Sequence, residues 1–234
     1  MTAALADLLQ RQGHATLAVD FDPQNLLGVY LGAAPPPEHG LASCAVRGAS
    51  WSESALINEQ QVRLLPHGRL NAVERQRFEQ ELAQQPQWLR DRLAQIDLGD
   101  AAVCLIDAAR IPSAYAEQAL AAADCVLAVL GSDLPSFVAA RELSWPRDSR
   151  PFAWVLNRAD PRRRLEQDLR TLLRATLPGD APLFVVHRDE SVAEAQAADQ
   201  PLAEHAPHCQ AMFDLQAIAT WLLGVHHANV VAAS

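Results

Sequence analysis

The chain has 234 residues, 50% of them apolar, which is enough to bury one substantial core and fits a single domain of a parallel-sheet protein. Its 19 basic residues stand against 28 acidic ones, and the resulting net charge of −9 works against binding to phosphate backbones, so nucleic acid is not expected as a direct ligand. No apolar run approaches the roughly 20 residues of a membrane-spanning helix, and the N-terminus lacks the basic-then-apolar layout of a signal peptide, so no membrane insertion is expected and the protein should be soluble and cytoplasmic. Cys44, Cys104, Cys125 and Cys209 are widely spaced and form no CxxC pair. They read as reduced thiols that mostly pack, rather than as a disulfide framework or zinc site.

In chain order, Ala3 to Gln12 carries apolar residues at helical spacing, Gly13 suits the position just past a helix end, and Thr16 to Asp20 reads as a short buried strand. Pro35 to Pro37 marks an irregular stretch, followed by a short helix near Leu41 and a strand from Val62 to Leu65 that ends in the turn Pro66-His67-Gly68. Asn71 to Gln84 and Trp88 to Ile96 read as two helices, with Asn71 as N-cap and Glu74 completing a capping box. Ala102 to Asp107 is apolar until its last residue, as expected of a central parallel strand covered on both faces. There follow a helix from Tyr115 to Ala122, a strand from Cys125 to Leu130 and a helix beginning near Asp133 or Pro135. A strand from Phe152 to Leu156, a charged amphipathic helix from Arg162 to Thr176, a strand from Leu183 to Val186 and a closing helix from Phe213 to Leu223 complete the chain. Strands alternating with helices of this length imply right-handed parallel crossovers, hence a doubly wound α/β sheet with helices on both faces, in one domain spanning residues 1–234.

In such sheets ligands bind at the carboxyl ends of the strands. Asp20 and Asp22 follow the first visible strand, Asp107 the apolar central one, Asn157 and Arg158 the fourth, and His187, Arg188, Asp189 and Glu190 the last. Carboxylates converging on one sheet edge suit a hydrated Mg²⁺, usually held by one or two carboxylates with substrate phosphates and water. A nucleotide site is the economical reading. The competing explanation for any single strand-terminal Asp is that it begins a turn or caps a helix.

Val19-Asp-Phe-Asp-Pro-Gln-Asn25 resembles the VDxDPQ segment of the ParA/MinD-type P-loop ATPases, and Leu105-Ile-Asp107 resembles their Walker B strand. Pro182-Leu-Phe-Val-Val-His-Arg-Asp-Glu-Ser-Val-Ala-Glu-Ala, continuing through Ala198-Asp-Gln-Pro201 to Glu204, is similar to the cellulose-synthesis proteins of the BcsQ (YhjQ) type. Leu64-Leu-Pro-His-Gly-Arg-Leu70 and Asp22-Pro-Gln-Asn-Leu-Leu27 fit the same subgroup. The resemblance implies ATP and Mg²⁺ as cofactors. It gives Asp20 or Asp22 a role in positioning the attacking water and the magnesium shell, makes Asp107 the Walker B carboxylate, and places the metal at Asp22 and Asp107. Asn157 matches the position from which relatives contact adenine, a turn residue being the equal alternative; His187 to Glu190 would border the base and the dimer face. The implied nucleotide-binding set is Asn157, Arg158, His187, Arg188 and Asp189, with a surface ion pair to Asp189 or Glu190 as the alternative for Arg188. The implied role is a nucleotide-dependent homodimer that organises the cellulose synthase, works with other cytoplasmic cellulose-synthesis components and is recruited to the inner membrane by them. A non-hydrolysing scaffold of the same fold and a partitioning-type ATPase are the alternatives, the last disfavoured by the acidic balance.

Two departures bear on this. A P-loop protein opens with a strand and a glycine-rich loop carrying Lys and Ser or Thr. None of the ten glycines lies in a G-x-x-x-x-G-K-[ST] segment, so no relocated loop exists, and Met1 to Ala6 matches the start of the helix that normally follows it. The expectation is that the natural protein extends upstream, the alternative being a degenerate scaffold; without the first strand, low stability or association through free sheet edges is expected. Asp107-Ala-Ala-Arg110 also lacks the proline and glycine common in relatives, which weakens γ-phosphate sensing. The segment from Trp221 to Ser234 has no Lys or Arg and should pack on the domain, not on a membrane. Arg162-Arg-Arg164 reads as a solvated helix start, and His226-His227 as incidental, since adjacent residues do not share a helix face.

Overall fold

A computed structural model describes residues 1–99, 101–142, 150–176 and 181–233. Strands β1 (Thr16–Phe21), β2 (Leu56–Ile57), β3 (Arg63–Leu65) and β4 (Val103–Ala108) form a sheet of order β2-β3-β1-β4, in which β1 is parallel to β3 and β4 while β2 runs antiparallel to β3. Strands β5 (Val126–Gly131), β6 (Phe152–Ala159) and β7 (Leu183–His187) form a second, all-parallel sheet with β6 in the middle. Burial is greatest in β1 and β6: every residue of β1 is buried, as are Ala153 to Leu156 of β6.

The expected doubly wound α/β class stands, with parallel sheets flanked by helices. Two details of the expectation are corrected. The strands form two sheets rather than one, and β4 is an edge strand rather than a central one: among the described residues its ladder partner is β1, and that of β5 is β6. An apolar run of six reads alike in either position, but here Cys104 and Ala108 are exposed.

Helices unite the two sheets. Leu5, Leu8 and Leu9 of α1 (Thr2–Arg11) and Leu215, Ile218 and Ala219 of α11 (Gln210–Ala233) are buried in one cluster with Val155 and Val186, and Val103, Leu105 and Leu127 pack against it. That cluster therefore takes side chains from β4 and β5 alike. On the first sheet, α3 (Leu41–Arg47), α4 (Ala72–Gln84), α5 (Trp88–Leu93) and α6 (Ala114–Ala122) enclose Phe21 with Phe78, Trp88 and Tyr115. On the second, α7 (Leu134–Glu142) and α8 (Arg164–Thr176) bury Phe137, Leu169 and Leu173 with Trp154.

Local signals account for several boundaries. Asn71 accepts from the Glu74 amide at 2.9 Å while Glu74 accepts from the Asn71 amide at 3.0 Å, a capping box of the expected kind worth about 1 kcal/mol. Gly13 follows α1 at φ 89°, a left-handed backbone that glycine adopts without a Cβ penalty. The closing helix spans 24 residues rather than the stretch from Phe213 to Leu223, because His226, His227 and Asn229 interrupt its apolar pattern without breaking its backbone. The short elements α2 (Leu27–Tyr30), β2, α9 (Glu190–Ala197) and α10 (Leu202–His205) escaped the sequence pattern, being too brief to display a period.

The Val103 amide donates to Ala15 and the Val126 amide to Pro151, so the alternate amides of β4 and β5, at Cys104, Ile106, Leu127 and Val129, point away from their ladders. Hydrogen exchange followed by NMR should find these four exchanging roughly tenfold or more faster than those of Leu105 and Ala128. Equal protection across each strand would show that both edges are covered in solution.

Candidate functional site

Parallel pairing of β1 with β4 places Asp20 opposite Asp107 at the carboxyl end of the first sheet. Asp20 is 0% exposed. Its Oδ2 accepts the Leu27 amide at 2.9 Å and its Oδ1 the Asp22 amide at 3.2 Å, so it shapes the turn that carries Asp22 and opens α2. Burial raises its carboxyl to about 7 against the pull of those two amides. Asp22 is partly exposed and accepts the Gln24 amide at 2.8 Å, leaving a carboxylate at the surface of the turn.

Asp107 is half-buried, and desolvation raises its carboxyl above the ordinary value. The Thr2 hydroxyl, at the first residue of α1, donates to Asp107 Oδ1 at 2.5 Å. The Met1 ammonium also lies buried beside Asp107; desolvation lowers it, with attraction to Asp107 acting the other way. Thr2 went unnoticed in the sequence because its partner lies 105 residues away. Its signal is a hydroxyl at the mouth of a helix aimed at a strand-terminal acid.

The second sheet supplies a separate set. Asn157 accepts the Arg158 amide at 3.0 Å, where the β6–β7 register breaks and Arg158 takes φ 57°. Ser132 donates to the Arg158 carbonyl at 3.2 Å. The backbone amide of His187 and its ring Nδ1 both meet Asp214 Oδ2, at 2.8 and 2.9 Å, which anchors the ring to α11. Arg188 pairs with Glu190 at 3.3 Å with both side chains mostly exposed, an ion pair of small energetic weight. Asp189 caps α9 through the Ser191 amide at 3.0 Å and takes the Ala211 amide of α11 at 3.2 Å. Burial pushes its carboxyl up, but these hydrogen bonds outweigh burial and hold it below the ordinary value.

The structure thus brings Asp20, Asp22 and Asp107 together on one sheet and Asn157, Arg158, His187, Arg188 and Asp189 on the other. The second set lines a groove of about 1620 Å³ that reaches Met1 just before α1, Tyr30 of α2 and Ile57 of β2. Arg162 and Arg163 instead pair with Asp160 and Glu166, at 2.9 and 3.1 Å, as a solvated helix start.

The Thr2 hydroxyl with the Asp22 and Asp107 carboxylates offers hard oxygen donors of the kind Mg²⁺ takes, alongside water and phosphate. Among the described residues no group of three or more His, Cys, Asp or Glu could hold a metal unaided. The residues do not fit the phosphates of ATP in the P-loop manner: the sequence has neither a glycine-rich G-x-x-x-x-G-K-[ST] loop nor any lysine, all 19 basic residues being arginine.

The family model described as cellulose biosynthesis protein BcsQ matches residues 1–223. The chain is 28% identical to the cellulose biosynthesis protein BcsQ of Escherichia coli over 231 residues, covering 95% of this chain and 88% of that protein. It is 27% identical to the Salmonella typhimurium protein of the same description over 237 residues, covering 98% and 90%. The septum site-determining protein MinD of Pyrococcus horikoshii, solved as a complex with Mg-ADP, superimposes with a TM-score of 0.71 at 18% identity, over 94% of this chain and 88% of that one. Among the described residues no helix is long and apolar enough to cross a membrane.

Asp20 keeps a proton in the folded state up to about pH 7, whereas an ordinary Asp in the unfolded chain releases it near 4, so stability should fall as pH rises between those values. The drop attributable to Asp20 is at most about 4 kcal/mol at 1.36 kcal/mol per unit. Urea unfolding at pH 5, 6, 7 and 8 should show the decline, and Asp20→Asn should flatten it. In the same assay Asp189→Ala should cost about 1–2 kcal/mol at neutral pH, through the loss of a cap.

Proposed function

The chain belongs to the cellulose biosynthesis protein BcsQ family, and on that premise we propose that it serves bacterial cellulose biosynthesis and secretion as a nucleotide-dependent dimer that organises the synthase complex. In this reading the protein is cytoplasmic and is drawn to the inner membrane by other cellulose-synthesis components. The observation that carries the reading beyond the family is the Thr2 hydroxyl seated on Asp107 beside Asp22, oxygen donors gathered where a parallel sheet presents its ligands.

Thr2, Asp22 and Asp107 would hold Mg²⁺, and Asp20, whose oxygens are occupied by backbone amides, would keep the Asp22 turn in place. Asn157, Arg158, His187, Arg188 and Asp189 would border the base and the dimer face. When bound, Mg²⁺ would neutralise phosphate charge at an edge that is otherwise acidic. That demand is strong here: the Asp22 and Asp107 carboxylates and a net charge of −9 repel a polyphosphate unless a cation lies between them. Single domain organisation over residues 1–234 is part of the same proposal.

The second reading is a scaffold that keeps the fold and dimer face without turning nucleotide over. Calorimetry with Mg·ATP separates the two readings when run on this chain and on a form extended upstream to the next in-frame start. The first reading expects saturable binding by the extended form, abolished by chelating Mg²⁺ and weakened at least about tenfold by Asp107→Asn, because the amide cannot supply the charge-assisted interaction of the carboxylate. Heat-silent titrations of both forms would favour the scaffold. Restoration of cellulose production in a deletion strain by the wild-type chain and not by Asp107→Asn would tie the acid cluster to the pathway. Equal restoration by both would sever that tie.

A further inference from the structure

The turn after β3, Pro66-His67-Gly68, lies beside the acid cluster but has no part in the functional reading above. His67 is 1% exposed, and its Nδ1 lies 2.8 Å from the Gly68 carbonyl oxygen. A carbonyl only accepts, so Nδ1 carries the hydrogen and Nε2 presents a lone pair. Desolvation lowers the proton affinity of this ring, in keeping with a neutral imidazole. Among the described residues neither Nε2 of His67 nor the hydroxyl of Tyr115 has a hydrogen-bond partner, and both atoms are buried. The two rings lie 5.6 Å apart, with Phe78 at 6.2 Å from His67 and 5.9 Å from Tyr115. One orphan is an acceptor and the other a donor, and leaving both unmet is the costly alternative.

The backbone around His67 is fixed on three sides. Its carbonyl accepts the Ala42 amide of α3 at 3.0 Å, and the Pro66 carbonyl accepts the Leu41 amide at 2.7 Å. The Gly68 amide donates to Asn25 Oδ1 at 3.2 Å, and Asn25 closes the turn that begins at Asp22. A Cβ on Gly40 would stand 2.2 Å from the Pro66 oxygen, so the approach of these two segments leaves no slack. Tyr115 belongs to α6, the first helix after Asp107.

We propose that the Tyr115 hydroxyl donates to His67 Nε2, directly or through one internal water, and that this pair ties the Asp22 turn to α6, making both residues positioning residues for the acid cluster. The pairing stands on the buried atoms alone, while its importance for ligand binding rests on the functional reading above. A bridging water would supply the same donor-to-acceptor path.

The experiment is NMR on the full chain without nucleotide, so failure of nucleotide binding in calorimetry and failure of this pairing are read independently. The expected result is a Tyr115 hydroxyl proton that exchanges slowly enough to be observed and a His67 Nε2 resonance that shifts in Tyr115→Phe. A cross-peak between water and the His67 ring in the unaltered protein assigns the bridged form, and its absence beside a protected hydroxyl assigns the direct one. Tyr115→Phe and His67→Phe should each lower the folding constant roughly tenfold, and the double variant no more than about either single one, as for partners in one bond. Both single variants should also move the amide signals of Asp22 to Asn25 while leaving those of β6 and β7 in place. A Tyr115 hydroxyl proton in fast exchange in the unaltered protein overturns the pairing, whether or not the variants fold, and so does an unmoved Nε2 resonance in a folded Tyr115→Phe. Unmoved amides from Asp22 to Asn25 overturn the positioning role.

Discussion

The apolar layer that α1 and α11 spread across both sheets is what joins one sheet to the other. Among the described residues β4 and β5 end their respective ladders, and the hydrogen bonds of each sheet stop there. Continuity passes to side chains: leucines of α1 and α11 pack against Val103 and Leu105 on one side and Leu127 and Val155 on the other. Burial of each such leucine is worth about 2 kcal/mol, and the effect has no directional requirement, so it can bridge two sheets where a ladder does not. The same placement of α1 brings Thr2 to Asp107. Core packing and the candidate site thus depend on one helix.

At the site, burial and charge pull in opposite directions. Asp20 and Asp107 are carboxyls whose surroundings favour the neutral form, yet both accept hydrogen bonds suited to the ionised one. A cation at the edge would resolve the conflict by stabilising the ionised form, which is the physical content of reading this edge as a metal and phosphate site. The second sheet lacks this tension. Its acids are committed to helix ends and arginines, and Asp160, Glu166 and Asp189 all lie below the ordinary carboxyl range.

The legible part of the fold was what neighbours in sequence decide. The Asn71–Glu74 capping box and the ends of the longer helices are written within a few residues. The strand-terminal acids could be found because a parallel sheet collects its strand ends on one edge. What could not be read was how many of an acid's oxygens go to backbone amides: Asp20 and Asp189 look like Asp22 and Asp107 in sequence, but each gives both oxygens to amides, at Asp22 and Leu27 and at Ser191 and Ala211. Nor could the edge position of β4, since hydrogen-bond partners leave no mark on an apolar run. The Thr2–Asp107 bond and the Tyr115–His67 neighbourhood join distant segments and appear only when the chain is folded.

The double duty of Asp189 has a mechanical consequence. One carboxylate closes the start of α9 and holds the opening of α11, so the two helices share a pivot. His187, two residues earlier, is held by Asp214 one turn further along α11. A force applied to the loop between β7 and α9 is therefore delivered as torque to a 24-residue lever. The buried face of that lever rests against α1, the helix whose first residue grips Asp107.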